Sequence, residues 1–497
     1  MLIIAYPRDS AFLALTPFIK LDPQLVVIDR MLQDRKLILL VANDLALSAP
    51  QALWNGRPAT PVVVTLRVAV ARRLKNWSYR TAEKEINGSI QWRWFCALDT
   101  HPCPDFSTLR DREALIRPPT LHRLNDRVAR LAQREGVTQG QKLRADGSVI
   151  ETHIHYPTDS SLLADSVRVI GRALAAARHL LRPHTPANKR LFRDSHRQAK
   201  HLARQIAQRL RGTKGQKTLE HKAQKLYRRL VKVTEQSVAH AWDIVVRLKK
   251  HATLAALALV ATLEHDLPLV AQVINQTTRR VFQQETVPAS DKIVSLFEPH
   301  TAIIQRGKAR PNETEFGRKV WYCESDGGII TDYRLLRGNP PEADYGLPSL
   351  QHQRKLFGHP PKIATADRGV YSPENEQAAK DLGVKRVVLP KPGAKSRVRQ
   401  RLEEQPWFKA VRRWRSGVEG RISHLRCARA LDCCLNRGET GMERSLAGLG
   451  RDRQQLDGHR DGTHTPTPSR QEMQSICLPH LTQKLLLRQS PKGWIEI

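Results

Sequence analysis

Three acidic residues carry the chemistry legible in this chain of 497 residues. Asp146 stands in LRADGSVIETHIHYPTDSSLL, Asp367 in KIATADRGVYSPEN and Glu419 in WRSGVEGRISHLR. Carboxylates are hard oxygen ligands, and Mg²⁺ needs only one or two of them because it keeps several waters. Two such ions about 3.5–4 Å apart activate a water or a 3′-hydroxyl and offset charge on the leaving oxygen when a phosphodiester is cut. The expected site is therefore Asp146, Asp367 and Glu419 around two Mg²⁺ (or Mn²⁺) ions. Each residue alone has a plainer account. A lone Asp in a strand is commonly an exposed or edge residue, and Asp367 before Arg368-Gly369 can simply begin a turn. Glu419, with Arg415 four residues before and Arg426 seven after, can belong to a surface ion-pair stripe. Arg before Glu is, however, the poorer i,i+4 order, and such pairs contribute only about 0.2–0.5 kcal/mol. A face that turns carboxylate to metal and guanidinium to phosphate explains the grouping better. Arg412, Arg415, Arg421 and Arg426 on that helix, and Lys391 in the loop before it, are the expected phosphate ligands.

The remaining charge points the same way. Lys and Arg number 82 against 48 Asp and Glu, a formal net charge of +34. A surplus of this size argues for a polyanionic partner. An anionic membrane fits less well, because the longest apolar run, Ala252–Leu263, is too short to span a bilayer and reads as a buried helix. The segment MLIIAYPRDSAF lacks a basic leader and is interrupted by Arg8 and Asp9, so a signal peptide is not expected. The seven cysteines form no CxxC pair and give no zinc pattern. They suit a reducing compartment.

These residues need elements to hold them. Residues 1 to about 135 read as helical. Leu37, Leu40, Val41 and Leu45 keep helical spacing, as does Pro61–Trp77 with its basic C-terminal end. Ser78 and Thr108 are expected N-caps, and Gly136 closes a helix marked by Leu121, Leu124, Val128 and Leu131. Such short helices suit a helix-turn-helix DNA reader or an ordinary helical bundle equally. From Lys142, Leu143, Ala145 and Val149 alternate with Arg144, Asp146 and Ser148, which predicts a half-buried strand with Asp146 on its polar face. Helix returns from about Asp159 to Gln284. Between Arg182 and Lys232 stand sixteen Lys or Arg and two acids, with an apolar stripe of Leu202, Ile206 and Leu210. The spacing predicts basic helices lying along phosphates, or a solvated basic hairpin. Strands resume near His300, turn at Asp326-Gly327-Gly328, and continue as KIATAD and KRVVLP around a helix over Pro373–Leu382. That β-α-β order makes the last two strands parallel, and Trp407–Ala430 is a closing helix. The expected fold is α/β: a ribonuclease-H-like mixed sheet over about 140–450, with a helical insertion at about 159–290 after the first strand, preceded by an all-α N-terminal domain over 1–135. Some residues stay open. His153 and His155 alternate onto one strand face and are read as structural, or as a contact beside the site. Asp159 is read as an N-cap rather than an extra ligand, and Trp407 and Trp414 as core anchors.

The three acidic segments resemble the DDE transposases of bacterial insertion sequences, most closely the ISNCY-like group. The resemblance rests on His155-Tyr156-Pro157-Thr158-Asp159-Ser160-Ser161-Leu162-Leu163, on Ala366-Asp367-Arg368-Gly369-Val370-Tyr371-Ser372, and on Gly417-Val418-Glu419-Gly420-Arg421-Ile422-Ser423-His424-Leu425-Arg426. Upstream, Trp94–Leu98 and Pro104–Leu109 resemble the N-terminal domain of such proteins, and the likeness spans about residues 60–450. Related families carry Tyr, Arg, Glu and Lys at set intervals on the last helix; here the Tyr is absent and Arg replaces the Lys. Gly147 stands where a small hydroxyl residue is common. The resemblance implies metal-dependent hydrolysis and strand transfer at the ends of an insertion sequence. It also implies double-stranded DNA as partner, a homodimer that synapses two ends, and a bacterial cytoplasmic, nucleoid-associated setting. A DNA-binding relative without catalysis, repressor-like, and a ribonuclease-H-like nuclease without strand transfer are the alternatives.

Residues 451–497 read as an irregular tail, polar and with little periodicity, where the resemblance implies an apolar helix. Arg451–Gly458 can be encoded so that the next reading frame gives Val-Ile-Ala-Asn-Asn-Trp-Met-Ala. A frame shift near Gly450 is the expected origin, and the gene's nucleotide sequence tests it.

Overall fold

The computed structural model describes residues 1–18, 21–53, 55–56, 58–182, 192–211, 217–251, 253–305, 314–427, 433–434 and 438–446. The irregular tail, with its proposed frame shift, and parts of the basic 182–232 segment lie outside them. The chain is mixed α/β and forms two compact units: Met1–Glu151 with the chain from Lys319 onward, and Thr152–Arg318.

The first unit begins with helices α1 (Ser10–Leu15), α2 (Pro23–Leu32), α3 (Arg35–Ser48), α4 (Val62–Lys75), α5 (Tyr79–Asn87), α6 (Ile90–Phe95), α7 (Phe106–Ala114) and α8 (Pro118–Arg134). Ser78 caps α5 as expected, accepting from the amide of Thr81. The cap of α7 is not Thr108 but Asp105, whose carboxylate accepts from the amides of Ser107 and Thr108. Thr108 instead donates its own hydroxyl to that carboxylate at 2.7 Å. The basic end of α4 is not a surface feature throughout: Arg72 is buried, pairs with Glu113 at 2.8 Å and stacks over Tyr79. Phe95, Cys96 and Leu98 are fully buried in the same core, which also takes in Leu356 and Phe357.

Strand β1 (Lys142–Thr152) follows. The second unit then supplies the long helices α9 (Asp159–Leu181), α10 (His196–Leu210), α11 (Lys217–Leu248) and α12 (Leu254–Val281), and strand β2 (Ala302–Gln305). The four helices share an aliphatic core that includes Leu163, Ile170, Ile206, Leu230, Leu263 and Val270. Three readings change here. From Leu254 the apolar run belongs to a helix of 28 residues, the one described helix long and apolar enough to cross a membrane by length and composition. The cap of α9 is Thr158, not Asp159; Asp159 is buried and pairs with Arg280 at 2.9 Å. His153 and His155 lie past the end of β1 rather than on its face, and His155 stands 3.3 Å from Asp165.

β3 (Thr314–Ser325) pairs antiparallel with β2 over 314–317 and with β4 (Ile330–Leu335) over 320–324. The turn between β3 and β4 holds Gly327 at φ +84°, where a Cβ would lie 2.2 Å from the carbonyl oxygen of Val137, so only glycine fits. Helix α13 (Ala343–Phe357), β5 (Ile363–Thr365), α14 (Pro373–Asp381) and β6 (Arg386–Val388) come next, and then α15 (Arg397–Glu404), α16 (Pro406–Cys427), β7 (Cys433–Cys434) and α17 (Gly438–Leu446). β3 neighbours β1, β1 neighbours β5 and β5 neighbours β6. The pairs β1–β5 and β5–β6 are parallel, the second as the β-α-β pattern requires. One face of the sheet packs Leu143, Ala145 and Trp321 against Leu350 and Ala379. The other packs Ile150, Val320 and Tyr322 against Val418, Ile422 and Leu425 of α16. β1 is thus covered on both faces and is not half-buried: Arg144 and Ser148 are buried too. The alternation in sequence is real, but α16 closes over the polar face, and Arg144 is tolerated there because Glu324 pairs with it at 2.8 Å.

Candidate active site

The parallel pair β1–β5 brings two of the acids together. Lys142, Leu143 and Arg144 face Ile363, Ala364 and Thr365, and the same register carried two residues further aligns Asp146 with Asp367. β5 ends at Thr365, so Asp367 stands just past the carboxyl end of its strand, level with Asp146, the fifth residue of the longer β1. Crevices at such ends are the usual ligand sites of α/β sheets. Asp367 also starts a turn, accepting from the amide of Arg368 at 2.7 Å.

The third acid arrives on α16. Arg415, one turn before Glu419, donates Nη1 to Asp146 Oδ2 at 3.3 Å and Nη2 to Glu419 Oε1 at 2.9 Å. One guanidinium therefore spans the first acid and the third. The Asp146 side chain is 14% exposed and that of Glu419 61%, so the pair runs from the interior to the surface. Gly417 permits this approach, because a Cβ there would lie 2.4 Å from Arg144 Nη1. Trp414 is half-buried over the Arg144 guanidinium, 4.9 Å from ring centroid to cation, rather than anchored in a core. Trp407 is partly buried against the small cluster of Val388, Phe408 and Val411.

Burial pushes the Asp146 carboxyl up to about 6, against the pull of Arg415, and the negative charges of Glu342 and Asp367 add to the rise. Glu342 is the residue that sequence reasoning missed. It sits just before α13 and receives Lys319 Nζ at 3.1 Å. Its carboxylate fills the space beside Gly147, where a Cβ would lie 2.2 Å from Oε1, and its Oε2 is 3.7 Å from where a Cβ on Gly369 would be. No motif or spacing marks it; it lies in NPPEADYG.

The expected phosphate ligands are spread out. Arg412 is exposed on α16. Arg421 is largely buried and stands 3.6 Å from Glu324, in the ion-pair layer with Arg144. Arg426 places its charge near the buried Tyr322 hydroxyl, whose proton is held by burial. The backbone amide of Lys391 donates to Glu403 at 3.0 Å. Among the described residues no group of three His, Cys, Asp or Glu side chains is gathered tightly enough to ligate one ion. The donor set itself, all carboxylate oxygen, fits Mg²⁺ or Mn²⁺. Arg415 and Lys319 are the counter-ions of these acids as the side chains stand.

Residues 14–112 match the family model of a transposase domain, DUF772. This stretch is similar to a transposase domain. The match supports a transposase family and suggests a role related to transposition. It runs from α1 into α7 and ends before β1, so the three acids lie beyond it. No curated protein matches the chain, and no solved structure does.

Proposed function

We propose that the chain is a DDE-class DNA transposase of the ISNCY-like group, in which Asp146, Asp367 and Glu419 hold two Mg²⁺ or Mn²⁺ ions. The observation that supports this reading is the surroundings of Asp146: the β1–β5 register, extended two residues past Arg144 and Thr365, brings Asp367 level with it, the charge of Asp367 acts on it, and one guanidinium joins it to Glu419. The strand order supports a ribonuclease-H-like core, with β4 antiparallel to β3, β3 beside β1, and β5 and β6 parallel beyond it. Bound divalent cations would activate the attacking water or 3′-hydroxyl and offset charge on the leaving oxygen. The chain's own residues do the rest. Asp146 and Asp367 orient the pocket from the rigid sheet. Glu419 closes it from the surface side. Arg415 hands its two carboxylates over and turns to the phosphate, a planar fork suited to paired phosphate oxygens. Arg412, Arg421, Arg426 and Lys391 add positive charge along the same path. The partner is double-stranded DNA, the terminal inverted repeats and then the target. Two ends call for a homodimer in the synaptic complex, in the bacterial cytoplasm at the nucleoid.

A non-catalytic DNA-binding reading draws support from the family match, which falls on the helices alone. One assay separates the two: duplex DNA carrying the element's ends, incubated with protein and Mg²⁺, and scored for nicks and joined products. Cleavage lost in Asp367→Ala with binding retained supports the transposase. Binding without cleavage in the wild-type chain supports the repressor-like reading, and cleavage without joining supports a nuclease.

A further inference from the structure

We propose that Glu342 is a fourth carboxylate of the same pocket, and that Lys319 is the built-in counter-ion that a divalent cation displaces from it. The inference rests on the reading of Asp146, Asp367 and Glu419 as metal ligands.

Glu342 occupies the position before α13 where a carboxylate ordinarily accepts the first amides of the helix. It makes no such cap bond. Its side chain turns instead toward the sheet, into the space left by Gly147, the neighbour of Asp146, and close to Gly369, two residues after Asp367. The two glycines thus form a cradle that any larger residue at 147 would fill. Lys319 Nζ holds the carboxylate at 3.1 Å and donates also to the carbonyl of Pro340 at 3.2 Å. Both side chains are sheltered, Lys319 14% and Glu342 20% exposed. A sheltered acid needs a cation. Lysine serves as a point charge on a flexible stem and is displaced more readily than a bidentate arginine. Arg415 holds Asp146 and Glu419 in the same manner, so each half of the pocket has its own internal cation.

The test is Mn²⁺ titration of the full metal-free chain without DNA, followed by the loss of the free-ion paramagnetic resonance signal. Glu342→Gln weakens Mn²⁺ binding about tenfold or more, the loss typical when a group that supports a metal site is removed. Lys319→Met tightens it several-fold. A merely structural ion pair would shift the melting temperature of both variants and leave Mn²⁺ affinity unchanged. If Asp146→Asn and Asp367→Asn abolish Mn²⁺ binding while Glu342→Gln does not weaken it, the proposal is overturned and the three-acid reading stands. If Asp146→Asn and Asp367→Asn bind Mn²⁺ as the wild type does, the three-acid reading falls and the proposal with it. Should Glu342→Gln fail to fold, Lys319→Met decides alone: tighter binding supports the proposal, and unchanged or weaker binding overturns it.

Discussion

The two units differ in where most of their charge lies. Around the sheet, charge is taken inside. Arg144 and Glu324 pair in the interior, Arg421 joins them, and Asp146 is sheltered beneath Arg415. In Thr152–Arg318 the core that the four helices share is largely aliphatic, buried charge such as Asp159, which pairs with Arg280, lies outside that cluster, and Arg197, Lys200, Arg204, Arg228, Arg229 and Lys232 on α10 and α11 are exposed. Buried charges need fixed partners and so hold one geometry, which chemistry requires. Exposed cations keep their mobility and suit a diffuse, repetitive polyanion. On the proposed function, the contrast would place reaction at the sheet and grip on the helices.

The largest expected effect attacks the grip. If the exposed cations of α10 and α11 neutralise six to ten phosphates, affinity for duplex DNA falls by about 10³–10⁵ between 50 and 200 mM salt. Replacing Arg197, Arg204 and Arg228 with Glu flattens that slope in a filter-binding or anisotropy series, with Mn²⁺ affinity unchanged. An unaltered slope would place DNA binding elsewhere. Next is the chemistry. Asp367→Ala lowers Mg²⁺-dependent strand cleavage by about 10²–10³ or more, the scale of a lost electrostatic stabiliser, while duplex affinity changes little.

Packing effects are smaller and sort by unit. Leu263→Ala empties a fully buried position of the helical core and costs about 2–5 kcal/mol by calorimetry or denaturant titration. Gly417→Ala forces α16 off Arg144, costs about 1–3 kcal/mol, and lowers cleavage by moving Glu419. Equal loss of cleavage in both variants would undo the division of labour. The smallest effect is in pH. The Asp146 carboxyl is raised to about 6 from its ordinary 3.8, so the folded chain binds that proton more tightly than the unfolded one. The resulting stability is full below about pH 4 and is lost as pH climbs toward 6. Asp146→Asn removes this fall and stabilises the metal-free chain above pH 6 by an amount on the order of 1–3 kcal/mol, read as a higher melting temperature. A melting curve that keeps its pH dependence in that variant would locate the titration elsewhere.

What was legible in the chain depended on whether a signal was local. Ser78 reads as a cap because the amide it serves is three residues away. The parallel β5–β6 pair follows from the intervening helix. The alignment of Asp146 with Asp367 is non-local, yet Asp146 lies within one readable strand pattern and Asp367 ends another. Burial of Arg144 was not legible, since its partner Glu324 lies 180 residues along the chain and the covering helix further still. Thr158 and Asp105 displaced the expected caps Asp159 and Thr108 because a buried ion pair and a stronger acceptor won locally. Glu342 was invisible because its place depends on space left at Gly147.

The most direct test of the account maps the pocket on the polypeptide itself. Mg²⁺ is replaced by Fe²⁺ and the bound iron is made to generate hydroxyl radicals with peroxide and ascorbate, so that the chain is cut wherever it lies against the ion. The account predicts cuts clustered around residues 146, 367 and 419, all suppressed by excess Mg²⁺. Cuts missing from any one of those three segments, or indifferent to Mg²⁺, would contradict a single cation pocket built from these acids.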